Sequence, residues 1–391
     1  MPKPTQEVNR IIRSEQVLDA FIQLVRRNLP LELKNTRITA DDILYALAYA
    51  NVNRLSIAST CQELCDAPSG NRLREVLVEA LPERTDLQQA LNQMFRQQLH
   101  PSLLKGKRTY AIAMDLTLIP YHGQPYQDEK EIVRGEPKSG TTHFHGYATV
   151  SIVHHNQRYV VALHFITYGE SMAEIVRWLL KRLKTLKIRV RRAFLDKGFC
   201  SDPVFKVLGR RHLSYVVPIP VRGKSGGVRT LFQGKSRKTT YTFHSPKYGA
   251  YTVQAVAVRR YSKGRYSRKS SKWFAYAVSG LPAGITPAQV FEIYRQRFGI
   301  ESSYRQMNLV RARTSTRNPA IRLLLVGLAF VLFNLYIFLR QSLSSALKRP
   351  LHSPRRFWLS LRRLAFLLGH AIERLWGITE VLQHQSCFAL S

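Results

Sequence analysis

The stretch HGYATVSIVHHNQRYVVALHFITY, residues 145–168, decides what kind of sheet this chain builds. Two runs rich in Val, Ile and Tyr, 145–155 and 158–168, flank a tight turn at Asn156 and Gln157, so the stretch predicts a hairpin of two strands. Upstream, TYAIAMDLTLIPY (109–121) is an apolar run broken by Pro120 and predicts a third strand. Downstream the period changes. ESMAEIVRWLLKRLKTL (170–186) predicts an amphipathic helix with a basic outer face, RVRRAFLDKGF (189–199) a strand ending at Asp196, DPVFKVLGRRH (202–212) a helix and LSYVVPIPV (213–221) a strand. Three strands followed by helix, strand, helix and strand predict an α/β (α+β) domain built on a mixed sheet flanked by helices.

Outside this block the patterning differs. Residues 1–104 read as helices. SEQVLDAFIQLVRRNL (14–29) has Ser14 as a candidate N-cap, and ITADDILYALAYANVN (38–53) starts near Thr39 or Asp41. The break at APSG (67–70), followed by a helix carrying Arg72 and Arg74, fits a helix-turn-helix, an outline that plain helical bundles also give. Residues 222–280 combine Gly/Ser/Lys turns with short β-branched and aromatic runs and predict an inserted basic β subdomain. Residues 281–345 return to the sheet domain, and 346–391 form a C-terminal helical region ending in RRFWLSLRRLAFLLGHAIERLW (355–376). Within the third segment, Leu323–Leu339 are largely apolar. That run sits at the lower limit for a bilayer span, and the buried helix of a large core reads the same way. With basic residues at both ends and nothing upstream that looks membranous, the buried helix is the expectation.

Sixty Lys and Arg against 25 Asp and Glu give a formal net charge of +35. Such an excess predicts attraction to phosphate backbones that weakens as salt rises. Hydrophobic content of 45% excludes a disordered chain. Cys61, Cys65, Cys200 and Cys387 lack the spacing of a zinc site, and a chain of this size needs no disulfide scaffold, which fits a reducing cytoplasm. The first residues have no apolar core behind their basic ones, so no signal peptide is expected. Ser225-Gly226-Gly227 is a turn with no Walker pattern behind it, which removes support for nucleotide hydrolysis. His143, His145, His154 and His155 straddle a strand, point to different faces and read as structural.

Acids are scarce, so their placement is informative. Asp115 lies in the apolar run IAMDLT, where a carboxylate is costly, and Asp196 ends AFLDKGF. Glu301 stands among Arg295, Arg297 and Arg305 in YRQRFGIESSYR (294–305), on a predicted helix that starts at Thr286 and Pro287. A strand-end acid is often a turn or cap residue, and Glu301 among arginines also reads as a surface ion pair. The competing reading is one metal site, because phosphoryl transfer on nucleic acid commonly uses divalent ions held by convergent carboxylates. Near the end of the insertion, basic residues including Arg265, Arg268 and Lys272 interleave with Tyr261, Tyr266 and Trp273. Cations neutralise phosphates and rings stack on bases, so this segment suits a nucleic-acid strand.

AMDLTLIPYHG, AFLDKGFCS and YRQRFGIESSYRQM together resemble the three catalytic blocks of DDE transposases of bacterial and archaeal insertion sequences, in the branch with a β insertion and a Tyr-Arg-Glu signature. The resemblance covers roughly residues 105–340. It implies an RNase H-like catalytic domain, with Asp115, Asp196 and Glu301 as the metal-binding triad and two Mg²⁺ ions, replaceable by Mn²⁺. It further implies that Tyr294 and Arg297 hold DNA phosphates beside the cut and that Trp273 is a candidate for stacking on a flipped base; Lys197 is a further DNA-binding candidate, and the phosphate-contacting role of the family's later Lys falls to Arg305 or to some other base. The expected activity is cut-and-paste transposition of double-stranded DNA by a homodimer, in the cytoplasm at the nucleoid, with no membrane partner. An RNase H-like nuclease without strand transfer and an inactive DNA-binding descendant are the alternatives. The branch often carries Lys seven residues after the Glu; this chain has Asn308 there.

Overall fold

The computed structural model describes residues 13–34, 36–104, 108–154, 157–246, 248–263, 269–295, 304–346 and 359–379. The chain divides into two compact units, Met1–Met94 with Gln306–Ser391, and Phe95–Arg305.

The second unit is built on one nine-stranded sheet. Its strands are β1 (Thr109–Pro120), β2 (Val133–Lys138), β3 (Thr141–His154), β4 (Gln157–Ile166), β5 (Arg189–Leu195), β6 (Ser214–Pro218), β7 (Arg237–Ser245), β8 (Gly249–Lys263) and β9 (Lys269–Ser279). The spatial order is β2-β3-β1-β5-β6-β9-β8-β7, with β4 also paired to β3. Along β4-β3-β1-β5-β6 the first three strands are antiparallel and the last three parallel, the mixed arrangement expected of an RNase H-like domain. The insertion is no separate β unit. Its strand β9 pairs antiparallel with β6, Val216 opposite Val278, so β7, β8 and β9 prolong the central sheet.

Helices α7 (Met172–Thr185) and α8 (Asp202–Arg210) cover one face. Trp178 of α7 stacks on His164 at 4.5 Å, and Phe205 of α8 stacks on Tyr215 at 5.5 Å. Ser171 caps α7 by accepting the Glu174 N–H while Glu174 accepts the Ser171 N–H. The apolar stripe Ile175, Val176, Leu179, Leu180 and Leu183 is buried beneath it. Helix α9 (Pro287–Arg295) covers the opposite face. Thr286 is its N-cap, as expected, accepting from the Gln289 N–H at 3.2 Å. There Ala111, Ala113, Phe194, Val216, Tyr276, Val290 and Tyr294 share one core.

The first unit holds α1 (Ser14–Asn28), α2 (Ala40–Asn53), α3 (Ile57–Glu63), α4 (Gly70–Ala80), most of α5 (Arg84–Gln97), α10 (Pro319–Ala346) and α11 (Leu361–Trp376); the short α6 (Pro101–Leu104) belongs to the second. The cap of α1 is Arg13 rather than Ser14, which becomes the first helical residue. Helix α10 contains the apolar run and is long and apolar enough to cross a membrane, with 89% of that window buried. Gly327 lets it approach α5, since a Cβ there would meet Leu91 Cδ1 at 2.4 Å. The segment read from sequence as one return to the sheet domain, 281–345, is therefore divided: 281–305 stays with the sheet and 306 onward joins the helices. A helix apolar on nearly every side needs enclosure, and α2, itself buried along most of its length, lies against it.

Candidate active site

Strand register brings the two aspartates together. β1 and β5 run parallel with Met114 opposite Leu195. Asp196 keeps an extended backbone (φ −70°, ψ 159°) for one residue beyond β5, and its N–H donates to the Met114 carbonyl at 3.3 Å. It thus falls beside Asp115, one strand away. Neighbouring strands lie about 4.8 Å apart, so both carboxylates reach a common point above the sheet. Successive side chains alternate between faces, which puts Asp115 and Asp196 on the face of Ala113 and Phe194, the one α9 covers.

Asp115 is 7% exposed, and its Oδ1 accepts the Leu116 N–H at 2.9 Å. Asp196 is half-buried, and Lys197 after it is exposed. A carboxylate so withdrawn from water is costly without cationic compensation. Two oxygen donors converging from adjacent strands are the ligand type a hard divalent cation takes, so Asp115 and Asp196 fit such an ion. Gly198 lets the chain turn tightly here: a Cβ on it would meet Leu116 Cδ1 at 3.0 Å and Asp196 Oδ2 at 3.8 Å. Burial pushes the Cys200 thiol up to about 12, with Arg222 only partly opposing it, so this cysteine is a protonated packing group beside the site.

Glu301 and Arg297 lie outside the described residues, as do Arg265 and Arg268. The tyrosines on either side of 296–303 are described: one touches β5, which leads into Asp196, and the other touches β3, the neighbour of the strand that carries Asp115. Tyr294 donates its hydroxyl hydrogen bond to the Leu195 carbonyl at 3.2 Å, immediately before Asp196. Tyr304 shares a hydroxyl–hydroxyl hydrogen bond with Thr149, the residue opposite Asp115 on β3. The phosphate role expected for Tyr294 is corrected here. At 2% exposure, packed on Phe194 and Tyr276, it has no surface to offer a phosphate and instead supports the end of β5. Thr149 and Tyr304 escaped the sequence reading; Tyr304 stands three residues after Glu301, at helical spacing, which was the available signal.

The remaining candidates are dispersed. Arg305 and Lys272 are exposed. Trp273 is half-buried, its ring stacked on Phe232 at 5.7 Å and covered by the Arg259 guanidinium at 5.7 Å. That gives it a packing role, where base stacking had been the candidate. Arg72 and Arg74 are exposed on α4, Arg72 paired with Glu75 and Arg74 bonded to Asn71, each at 3.3 Å. Among the histidines, His145 lies edge-on to Tyr121 and His154 to Tyr110, which are packing contacts.

The family model described as a transposase DDE domain matches residues 106–335. No curated protein sequence matches. Among solved structures, the cryo-EM structure of a piggyBac transposase synaptic complex with hairpin DNA is similar, with a TM-score of 0.55 and 14% identity. That similarity covers 96% of this chain and 84% of the other, and at such identity it is a likeness of fold.

Proposed function

The chain belongs to the DDE transposase family, enzymes that cleave and transfer DNA, and from that premise we propose that Asp115, Asp196 and Glu301 form its catalytic triad. The observation that carries this reading is the register that sets Asp115 and Asp196 side by side on one face of the sheet. The anchoring of Tyr294 at Leu195 and Tyr304 at Thr149 supports Glu301 as the third member, since the chain before it is tied to the strand leading into Asp196 and the chain after it to the residue paired with Asp115.

Divalent metal chemistry is general to the family; here the acids would hold two Mg²⁺ ions, or Mn²⁺, which when bound activate the attacking oxygen and stabilise the leaving one. The chain's own groups do the rest. The sheet fixes two carboxylates without loop motion, and the hydroxyl of Tyr294 holds the end of β5 in place. Exposed Lys197 and Arg305, with Arg297, meet the phosphates flanking the cut, where cations offset the charge that builds on the phosphorus oxygens. Arg72 and Arg74 on α4, and Arg265, Arg268 and Lys272 of the insertion, contribute further phosphate contacts. Water first cuts the element's end, and the freed 3′ hydroxyl then attacks a second DNA, with a homodimer pairing two ends in the cytoplasm.

The test is nicking and joining of a duplex carrying the element's own end, with Mg²⁺ or with EDTA, by wild type, Asp115→Asn, Asp196→Asn and Glu301→Gln. Metal-dependent nicking and joining that vanish in all three variants, with DNA binding retained, is the expected result. Nicking without joining would select a nuclease. Undiminished cutting by any variant removes that residue from the triad.

A further inference from the structure

We propose that Thr149 is a positioning residue of the catalytic site, acting through the Tyr304 hydroxyl to hold the third carboxylate where a metal ion needs it. Thr149 lies on β3 directly opposite Asp115, and only 2% of it is exposed. Residues directly opposite on an antiparallel pair set their Cβ atoms about 4.5–5.5 Å apart on one face, so Thr149 shares the face of both aspartates. Its hydroxyl is hydrogen-bonded to the hydroxyl of Tyr304. The Tyr304 ring packs against the core that contains Ala113, Phe194 and Tyr294, and so lies on that face too.

Packing alone does not ask for a threonine here. Residues 144–152 of β3 are all buried. Valine has nearly the same shape, suits a strand as well and brings no polar atom to desolvate. A buried hydroxyl lowers stability unless it is bonded, and this one takes its partner from a segment 155 positions further along the chain. The strand itself gains little from the bond, because its ladder partners at this point, Asp115 and Leu163, are set by the sheet. What the bond fixes is the segment of Tyr304.

The content of that segment gives the consequence. Tyr304 stands three residues after Glu301, and residues three apart on a helix share one side. In the triad reading, on which this inference rests, Glu301 supplies the third carboxylate. Asp115 and Asp196 take their spacing from strand register, and the Thr149–Tyr304 bond ties the chain after Glu301 to that same register. Groups that orient metal ligands from behind commonly contribute about 10- to 100-fold in metal affinity. Loss of this bond should therefore weaken metal binding first, and excess metal should restore the reaction.

The experiment uses the full chain bound to a duplex carrying the element's end. It reads free Mn²⁺ by electron paramagnetic resonance, alongside single-turnover nicking over a range of Mg²⁺ concentrations. Thr149→Val and Tyr304→Phe should each raise the Mn²⁺ dissociation constant and the half-saturating Mg²⁺ by about 10- to 100-fold, with the rate at saturating Mg²⁺ within about threefold of wild type. Thr149→Ser keeps the hydroxyl and should bring both metal constants back to within about threefold. Thr149→Val/Tyr304→Phe should be no worse than the more affected single variant, since both changes remove one bond. A rate lowered equally at every Mg²⁺ concentration overturns the proposal, because that is the mark of a merely structural contact. So do unchanged metal affinity, or a Thr149→Ser variant no better than Thr149→Val. A further loss of affinity when Thr149→Val is added to Glu301→Gln also overturns it, by placing the effect on Asp115. The triad reading is tested separately: it fails if Glu301→Gln keeps wild-type metal affinity and nicking, whatever the Thr149 variants do.

Discussion

Replacing Tyr294 by Phe separates two roles that its place among arginines leaves open, contact with a DNA phosphate and support for the strand end bearing Asp196. The ring is 2% exposed, and its hydroxyl donates to the Leu195 carbonyl at 3.2 Å. Phe keeps the ring contacts with Phe194 and Tyr276 and removes one buried hydrogen bond. That loss costs about 1–2 kcal/mol, between the net value of such a bond and the penalty of a buried acceptor left short of a partner. For a unit the size of Phe95–Arg305 this lowers the melting temperature by roughly 2–8 °C in differential scanning calorimetry. A carboxylate on a loosened strand end is displaced by a fraction of an ångström, so single-turnover nicking should slow by about 3- to 30-fold, below the roughly 100-fold that a full 1 Å misplacement costs. DNA affinity and its salt slope should not move, because the buried hydroxyl touches no phosphate. An unchanged melting temperature together with a salt slope smaller by about one would refute this reasoning and return Tyr294 to the DNA surface.

Four further perturbations probe the same framework. Gly198→Ala places a Cβ 3.0 Å from Leu116 Cδ1, beside Asp196, and should cost about 1 kcal/mol in urea unfolding while slowing nicking; an unperturbed variant would show that the turn has slack. Gly327→Ala puts a Cβ 2.4 Å from Leu91 Cδ1 and should destabilise by about 1–3 kcal/mol, and Leu91→Ala in the same chain should cost less than the two single changes summed. With Cys200 raised to about 12, the folded state holds a proton that the unfolded state releases near pH 9, so stability falls as pH rises through that window, by up to about 1.4 kcal/mol per pH unit; Cys200→Ala should lose less over the same range in pH-dependent unfolding. Mg²⁺ or Mn²⁺ should raise the melting temperature of wild type in proportion to RT ln(1 + [metal]/Kd), and Asp115→Asn should abolish that rise.

Much of the sheet was legible because its strands announce themselves locally. Alternating Val, Ile and Tyr at 145–154 and 158–166, a two-residue turn between them and the amphipathic helix at 172–185 are short-range signals. Asp115 and Asp196 stood out because acids in apolar strands of a strongly basic chain are rare. β2, with sequence VRGEPK, escaped notice because it has neither alternation nor β-branched content beyond one Val. The pairing of β9 with β6 was invisible for another reason: KWFAYAV shows a strand, but nothing local says which edge it joins. The phosphate role of Tyr294 came from the Tyr-Arg-Glu resemblance alone, and a motif says nothing of the rings of Phe194 and Tyr276 that bury it here. The end of the sheet domain was misplaced because an apolar run such as 323–339 demands burial without naming what buries it.

The site's precision resides in the ladder more than in any one residue. One register, Met114 opposite Leu195, sets the spacing of the aspartates, and one more, Asp115 opposite Thr149, gives Tyr304 its anchor. A one-residue slip of β5 against β1 would send Asp196 to the α7 face and keep every side chain chemically unchanged. The sheet is protected against that slip by its opposing cores, since a slip would exchange Phe194, now packed on Tyr294, with Leu195. The same two-sidedness segregates charge: Asp115 and Asp196 lie on the face that α9 covers, while exposed Arg177, Lys181 and Lys184 stand on α7 across the sheet. Burying a carboxylate inside a strand lowers stability in the absence of a cation, and a strand pair locked by two cores can tolerate that where a loop would rearrange to hydrate the acid. Placing the acids on paired strands therefore lets the register of the sheet, and no loop, set the spacing on which the proposed site depends.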